Sequence, residues 1–149
     1  MAEFIDDEIL EMAVAREVDA SRFYEALAAR SVNPHIQKIF LELAAEELEH
    51  KAKLELEIMK TGRVVHTDKT PSGFRDDPDQ DSPIEFDIDF KNILLMGIQK
   101  EEASFRLYVD LAAMTTDHSS KETLLAIAEE EAGHKLRFQT IFDYLSRGA

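Results

Sequence analysis

The chain has 149 residues, the usual size of one domain with a sizeable core. Acidic residues outnumber basic ones by 31 to 17, and the formal net charge of −14 excludes nucleic-acid binding and anionic membrane surfaces. The absence of cysteine excludes disulfides, thiolate metal sites, iron–sulfur clusters and cysteine nucleophiles. The amino terminus lacks a basic signal segment, and the longest apolar run, Ile93 to Ile98, cannot span a bilayer. We therefore expect a soluble, cytoplasmic single domain over residues 1–149.

Four segments are predicted to be helices, because they are rich in strong helix formers and their apolar residues recur every three or four positions. In chain order they run from Phe4 to Arg30, from Pro34 to Lys60, from the region of Asp87–Asp89 to Met114, and from Asp117 or Ser119 to Leu145. Asn33 followed by Pro34 is typical of a helix start. The fourth helix begins either with Asp117 as its cap or with a capping box from Ser119 to Glu122.

Glycine and proline concentrate between the second and third predicted helices, which indicates a linker there. The connections after the first and third helices are short, so each of these helices should pack antiparallel to the next one. The long middle connection can carry the chain across a bundle. We predict an all-α four-helix bundle made of two helical hairpins, 4–60 and 88–146, which are joined by a crossover over 61–87.

The two predicted hairpins are copies of one another. A shift of 84 residues places Glu17 on Glu101, Tyr24 on Tyr108, Glu46-Glu47 on Glu130-Glu131, and His50 on His134, among further matches that include Leu41 on Leu125. An internal repeat of a hairpin indicates a bundle with a pseudo-twofold axis. Each group that one hairpin presents to the interior is then presented by the other hairpin from the opposite side.

Each predicted helix carries a glutamate on its apolar stripe, and two of them add a histidine three residues later. In the second helix the apolar stripe consists of Phe40, Leu43, Glu47, His50 and Leu54, and Glu131 and His134 interrupt the stripe of the fourth helix in the same way. Glu17 lies on the stripe of the first helix. Glu101 lies on the stripe of the third helix, between Ile98, Phe105 and Tyr108. No lysine or arginine is expected on these stripes. The nearby Glu46, Glu49, Glu129 and Glu130 are expected on a solvated face, and His35, His66 and His118 in solvent.

Buried carboxylates without cationic side chains require another source of positive charge. Removing a carboxylate from water costs several kcal/mol, about 3–5 where a partner is missing, and metal coordination offsets that cost. Two divalent ions would balance four glutamates, and carboxylate with imidazole suits iron, manganese or zinc. The sequence predicts a di-metal site whose ligands are Glu17, Glu47, His50, Glu101, Glu131 and His134.

This ligand pattern, Glu17, Glu47-x-x-His50, Glu101 and Glu131-x-x-His134, resembles the ferritin-like di-iron carboxylate superfamily, and most closely its rubrerythrin-type domains. The resemblance extends through all four predicted helices. It implies two iron ions, with manganese or zinc as alternatives, and hydrogen bonds from Tyr24 and Tyr108 to ligand carboxylates. The chain departs from the family in having no cysteine-rich rubredoxin module. No seventh ligand is expected, because Ile98 and Ser104 stand three residues either side of Glu101.

The resemblance implies an oxidoreductase that reduces hydrogen peroxide with electrons from a separate donor, such as a rubredoxin-type protein. The resemblance also implies dioxygen as an alternative oxidant. The assembly implied by the resemblance is a homodimer. The alternative is a ferroxidase, iron-binding or iron-storage protein without peroxide turnover. A third interpretation is a scaffold in which the metals only stabilise the bundle. No further catalytic residue beyond the metal ligands is predicted.

Overall fold

Four α-helices make up the described part of the chain, residues 2–60 and 88–147 of the computed structural model. Their bounds are α1 Ala2–Arg30, α2 Pro34–Lys60, α3 Ile88–Met114 and α4 His118–Arg147. All four predicted helices are present, although α1 begins before Phe4 and α4 extends beyond Leu145. The predicted crossover over 61–87, with His66 in it, lies outside the described residues.

Side-chain caps start the second and fourth helices. The Asn33 Oδ1 atom accepts hydrogen bonds from the backbone N–H groups of His35 at 2.9 Å and Ile36 at 3.4 Å. At the start of α4, Asp117 Oδ2 accepts the backbone N–H of Ser120 at 2.9 Å. Of the two predicted starts, Asp117 is therefore the cap.

The helices pack as two antiparallel hairpins, α1 with α2 and α3 with α4, and the hairpins meet through α2 with α4 and α1 with α3. Hydrogen bonds between the hairpins join their ends. Thr116 donates through its backbone N–H to Asp6 Oδ1 at 3.0 Å and through its hydroxyl to Asp6 Oδ2 at 2.7 Å. The hydroxyls of Ser119 and Thr123 donate to Glu57 at 3.0 and 2.8 Å. The predicted all-α four-helix bundle is confirmed.

The core consists of two apolar clusters, one towards each end of the bundle. The Phe40 cluster lies towards one end and contains Phe23, Tyr24, Leu27, Ala28, Ile36, Phe40, Leu43, Ala44, Phe90, Ile93, Leu94 and Phe138. The Leu54 cluster lies towards the other and contains Ile9, Leu10, Ala13, Val14, Leu54, Ile58, Tyr108, Leu111, Ala112, Leu124, Ile127 and Ala128. On every helix the predicted ligands fall between the residues of these clusters. The fold thus encloses a polar layer between two apolar ones.

Candidate metal centre

All six predicted ligands meet in this polar layer. Their exposed fractions are 1% for Glu17, Glu47, His50 and Glu101, 0% for Glu131 and 9% for His134. The helical spacing explains the placement, since Glu and His three residues apart lie side by side on one face of α2 and of α4. Four carboxylates and two imidazoles are therefore held out of solvent by elements from both hairpins.

The inner nitrogen of His50 faces carboxylates from three helices. Its Nδ1 atom lies 3.1 Å from Glu131 Oε1 on α4, 3.4 Å from Glu47 Oε1 on α2 and 3.5 Å from Glu17 Oε2 on α1. These four residues each offer one donor atom within a span of 4.8 Å, which is a group of the size that one metal ion can hold. All four donor residues are buried.

His134 has the equivalent position in the second half of the repeat. Its Nδ1 atom lies 3.5 Å from Glu47 Oε1, 3.6 Å from Glu101 Oε1 and 3.7 Å from Glu131 Oε1. Glu47, Glu101, Glu131 and His134 form a second group within 4.8 Å. The two groups share Glu47 and Glu131, so these two carboxylates would take part in holding both ions of a pair.

The atoms that face the centre lack hydrogen-bond partners. They are Glu17 Oε2, Glu101 Oε2, both carboxylate oxygens of Glu47 and of Glu131, and the Nδ1 atoms of His50 and His134. Buried polar atoms are nearly always satisfied in native proteins, so eight orphaned donor atoms converging on one layer indicate a missing partner. Carboxylate oxygens and imidazole nitrogens are suitable ligands for iron, manganese and zinc. The residues present fit a di-metal site.

Without metal, the centre is electrostatically strained. Burial raises the pKa of Glu47 and of Glu131 well above the ordinary range, and the neighbouring carboxylates raise both further. Burial alone would lower the pKa of His50, but its contacts with Glu131, Glu17 and Glu47 outweigh burial and raise it. The pKa of His134 is raised in the same way, chiefly by Glu101. Without metal, these carboxylates and imidazoles therefore tend to bind protons, at the positions where they would bind metal ions in the loaded protein.

Comparison with known proteins identifies the family. The Rubrerythrin family model matches residues 8–142, which is most of the chain and includes all six predicted ligands. The chain belongs to the rubrerythrin family. No curated protein sequence matches it.

Two solved structures share the fold of this rubrerythrin-family chain. A dodecameric thioferritin, the bacterioferritin-related protein of Bacteroides fragilis, superposes with a TM-score of 0.77 at 23% identity, covering 99% of this chain and 89% of its own. A hypothetical protein from Pyrococcus furiosus has a TM-score of 0.69 at 23% identity, covering 97% and 92% respectively. At this identity the likeness establishes the ferritin-like fold alone. Among the described helices of this rubrerythrin-family chain, none is long and apolar enough to cross a membrane.

Two buried tyrosines hold the α1 and α3 glutamates. The Tyr108 hydroxyl donates to Glu17 Oε1 at 2.5 Å, and the Tyr24 hydroxyl donates to Glu101 Oε1. Burial and the adjacent carboxylates raise the pKa of both tyrosines, so both phenols stay protonated. Each hydroxyl crosses between α1 and α3, and thus orients one oxygen of a glutamate from the opposite hairpin.

Two glutamates of the expected solvated face also contact the histidines. Glu130 is hydrogen-bonded to Nε2 of His50, and Glu46 Oε2 lies 2.6 Å from Nε2 of His134. Each contact crosses from one hairpin to the other between α2 and α4. Partial burial would raise the pKa of Glu130, but the contacts with His50 and Lys53 outweigh it and lower that pKa. The side chains of Glu46 and Glu130 are 42% and 48% exposed, as expected for a solvated face, and they also support the outer side of both imidazoles.

Two basic side chains on α1 and α3 are largely buried. Arg16 is 7% exposed and its Nε donates to Ser104 Oγ at 3.2 Å, while Lys100 Nζ lies 3.6 Å from Asp19 Oδ2. Arg16 and Lys100 are equivalent in the repeat, directly before Glu17 and Glu101. Neither residue is one of the stripe positions named from the sequence, but the buried Arg16 shows that a cationic side chain reaches the interior between α1 and α3 from the position directly before Glu17.

The remaining polar residues singled out from the sequence stand apart from the centre. His35 is exposed, and the His118 side chain is 85% exposed. Glu102, which directly follows the predicted ligand Glu101 in the sequence, turns away from the centre and pairs with Lys135 Nζ at 2.8 Å. Phe105, expected on the buried stripe, is 37% exposed because it lies at the outer edge of that face.

Proposed function

We propose that this protein is a di-iron carboxylate oxidoreductase that reduces hydrogen peroxide. The observation that carries the proposal is the pair of overlapping carboxylate–histidine groups, which share Glu47 and Glu131 and so would hold two adjacent ions. Membership of the rubrerythrin family supports the choice of iron, with manganese or zinc as alternatives. Glu17, Glu47, His50, Glu101, Glu131 and His134 are the proposed ligands.

The reaction consumes two electrons and two protons for each peroxide and yields two molecules of water. Two adjacent ferrous ions supply one electron each when bound. The chain's own contribution is to fix the ligand geometry: Tyr24 and Tyr108 hold one oxygen of Glu101 and of Glu17, and both apolar clusters keep bulk water from the centre. The 149 residues contain no cysteine, so we propose that a separate rubredoxin-type protein returns the electrons.

A second candidate is a ferroxidase, iron-binding or iron-storage protein. The similarity of fold to a protein described as a dodecameric thioferritin favours this alternative. The same six ligands would then bind ferrous iron as a substrate, and dioxygen or peroxide would take the electrons from it. The two candidate functions differ in their product. The peroxidase would convert peroxide to water, whereas the ferroxidase or storage protein would accumulate ferric iron.

Rapid mixing of hydrogen peroxide with the anaerobic di-ferrous protein distinguishes these functions. We expect stoichiometric oxidation of two irons per chain, followed by steady peroxide consumption when a reduced rubredoxin is supplied. Accumulation of many ferric ions per chain without peroxide turnover would support storage instead. Inertness towards peroxide, and towards dioxygen in a parallel mixing experiment, would contradict both candidates and leave the metals a scaffolding role.

Metal analysis of matched variants tests the ligand assignment. The double variant Glu47→Ala/Glu131→Ala removes both shared carboxylates and should abolish binding of the metal pair. Glu49→Ala/Glu129→Ala removes the same charge from exposed positions of the same helices and should retain two ions per chain. Equal metal content in the two double variants would overturn the assignment.

A further inference from the structure

An open groove lies between α1 and α3, towards the end of the bundle that contains the Leu54 cluster. Ile9 and Leu111, which are buried members of that cluster, form its floor, and Leu107 packs beside them. Met12 and Met114 line its sides and are 54% and 56% exposed. The groove has a volume of about 730 Å³, which is within the range of small-molecule sites in proteins.

Two carboxylates lie at the rim of this groove. Glu8 on α1 and Asp110 on α3 are both exposed and both line it. Neither forms a salt bridge with a basic side chain of the described helices. The other lining residues are apolar, so the groove combines an uncharged interior with a negative rim. A ligand with an apolar body and a positive charge would be complementary to it.

The equivalent surface in the other half of the repeat is filled by larger or more deeply packed side chains. Phe23 has the position of Leu107 and is only 7% exposed. Met96 has the position of Met12 and packs against the Phe40 cluster, whereas Met12 remains exposed. Both halves carry the same predicted metal ligands, so neither the bundle nor the metal centre requires the groove.

The negative rim also differs between the two halves. The positions equivalent to Glu8 and Asp110 are occupied by Asn92 and Ala26. Arg30 has the position at which the groove has a methionine. The equivalent surface therefore carries one positive charge in place of two negative ones. The open volume, the apolar walls and the two carboxylates occur together at one end of the α1–α3 seam.

We propose that this groove is a binding site for a small organic cation. The apolar part of the ligand lies against Met12 and Met114, whose flexible thioether side chains adapt to irregular apolar shapes. The positive charge lies at the rim beside Glu8 and Asp110. An anion of the same shape is disfavoured there, because it would meet two carboxylates on a chain of net charge −14.

Fluorescence titration of the full chain with proflavine tests for the site, because proflavine is a planar aromatic cation at neutral pH. Anthracene carboxylate is the control ligand, since it has a three-ring body of similar size and a negative charge. At about 0.15 M salt, which screens long-range attraction, we expect saturable proflavine binding that is at least about tenfold tighter than binding of the anion. The absence of saturable proflavine binding, or equal affinity for the two ligands, would overturn the proposal.

Filling the groove tests its location. Leu107→Phe introduces the residue that the other half of the repeat has at this position, and it leaves the charge unchanged. Val109→Phe is the control, because Val109 is 37% exposed on the same helix and does not line the groove. We expect Leu107→Phe to weaken proflavine binding at least about tenfold and Val109→Phe to leave it unchanged. An equal effect of the two variants would place the ligand elsewhere and overturn the proposal.

Neutralising the rim tests the choice of a cation at exposed positions that do not contribute to the core. Glu8→Asn/Asp110→Ala introduces the residues of the other half, and Glu49→Ala/Glu129→Ala removes two exposed carboxylates from α2 and α4. The first pair should weaken proflavine binding at least about fivefold and remove the preference over the anion, and the second should preserve both. Equal effects of the two pairs would show that overall charge alone attracts the cation, which would overturn the assignment to the groove.

Discussion

The histidines of the centre are held from both sides by carboxylates. Their inner nitrogens face the orphaned oxygens, and their outer nitrogens contact Glu130 and Glu46 from the opposite hairpin. An outer carboxylate fixes the imidazole tautomer, with the proton on Nε2 and the lone pair of Nδ1 free to bind metal. Because each contact spans α2 and α4, a single glutamate both orients a ligand and joins the hairpins.

At the scale of the residue, Glu130→Ala should weaken metal binding by about 10- to 100-fold, because His50 loses the group that orients it. Competition with a chelator of known affinity measures the change. Glu129→Ala is the control, since it removes an adjacent exposed carboxylate that points away from the centre. Glu130→Gln should retain much of the affinity, because its amide oxygen can still accept the imidazole N–H. Equal affinities for Glu130→Ala and Glu129→Ala would contradict the role assigned to this contact.

At the scale of the element, close packing of α3 on α4 depends on Gly97. A Cβ atom at this position would lie 3.0–3.3 Å from three ring carbons of Phe138, which is itself fully buried in the Phe40 cluster. Gly97→Ala should lower the free energy of unfolding by about 1–2 kcal/mol net, because overpacking against the buried Phe138 ring outweighs the gain in helix propensity. Denaturant unfolding of both proteins measures the difference.

Gly133 provides the opposite case on the facing helix. Nothing lies within 4 Å of a Cβ atom there, so Gly133→Ala should raise the free energy of unfolding by about 0.5–1 kcal/mol through helix propensity alone. The two substitutions add the same methyl group to helical glycines. If both substitutions changed the free energy of unfolding in the same direction, the contact with Phe138 would not limit the packing of α3 on α4.

At the scale of the whole molecule, the apo protein should become less stable as the pH rises. The pKa of Glu47 is raised from 4.5 to about 8, so its protonated form favours the folded state. That stability is present below pH 4.5 and is lost as the pH rises through about 8; Glu131 and His50, whose pKa values are also raised, act in the same direction. Each group contributes a slope of at most about 1.4 kcal/mol per pH unit. Urea unfolding of the chelator-treated protein at pH 5, 6.5 and 8 measures how the free energy of unfolding changes with pH.

The metal-loaded protein and a neutral variant provide the controls for this pH dependence. Metal competes with protons for the carboxylates, so the loaded protein should not lose stability over the same range. Glu47→Gln/Glu131→Gln removes two of the titrating groups and should flatten the slope of the apo protein. A slope that is the same in the variant would show that other groups cause the pH dependence.

The amino-acid sequence by itself determined the helices, the bundle and the set of residues that meets at its centre. Helical periodicity defined one inner face for each helix, and the 84-residue repeat matched Glu17 with Glu101 and Glu47-x-x-His50 with Glu131-x-x-His134. These properties are local to a helix or follow from symmetry between two hairpins. They could therefore be derived without knowing how the helices are rotated against one another.

Only the tertiary structure decided which side chains meet across helices. Helical spacing places Glu46 four residues before His50 on the same helix, yet Glu46 contacts His134, and Glu130 contacts His50. Periodicity shows which face of a helix is buried but not which neighbour stands opposite, because that depends on helix rotation and on long-range packing. For the same reason the reach of Arg16 to Ser104 could not be derived from spacing.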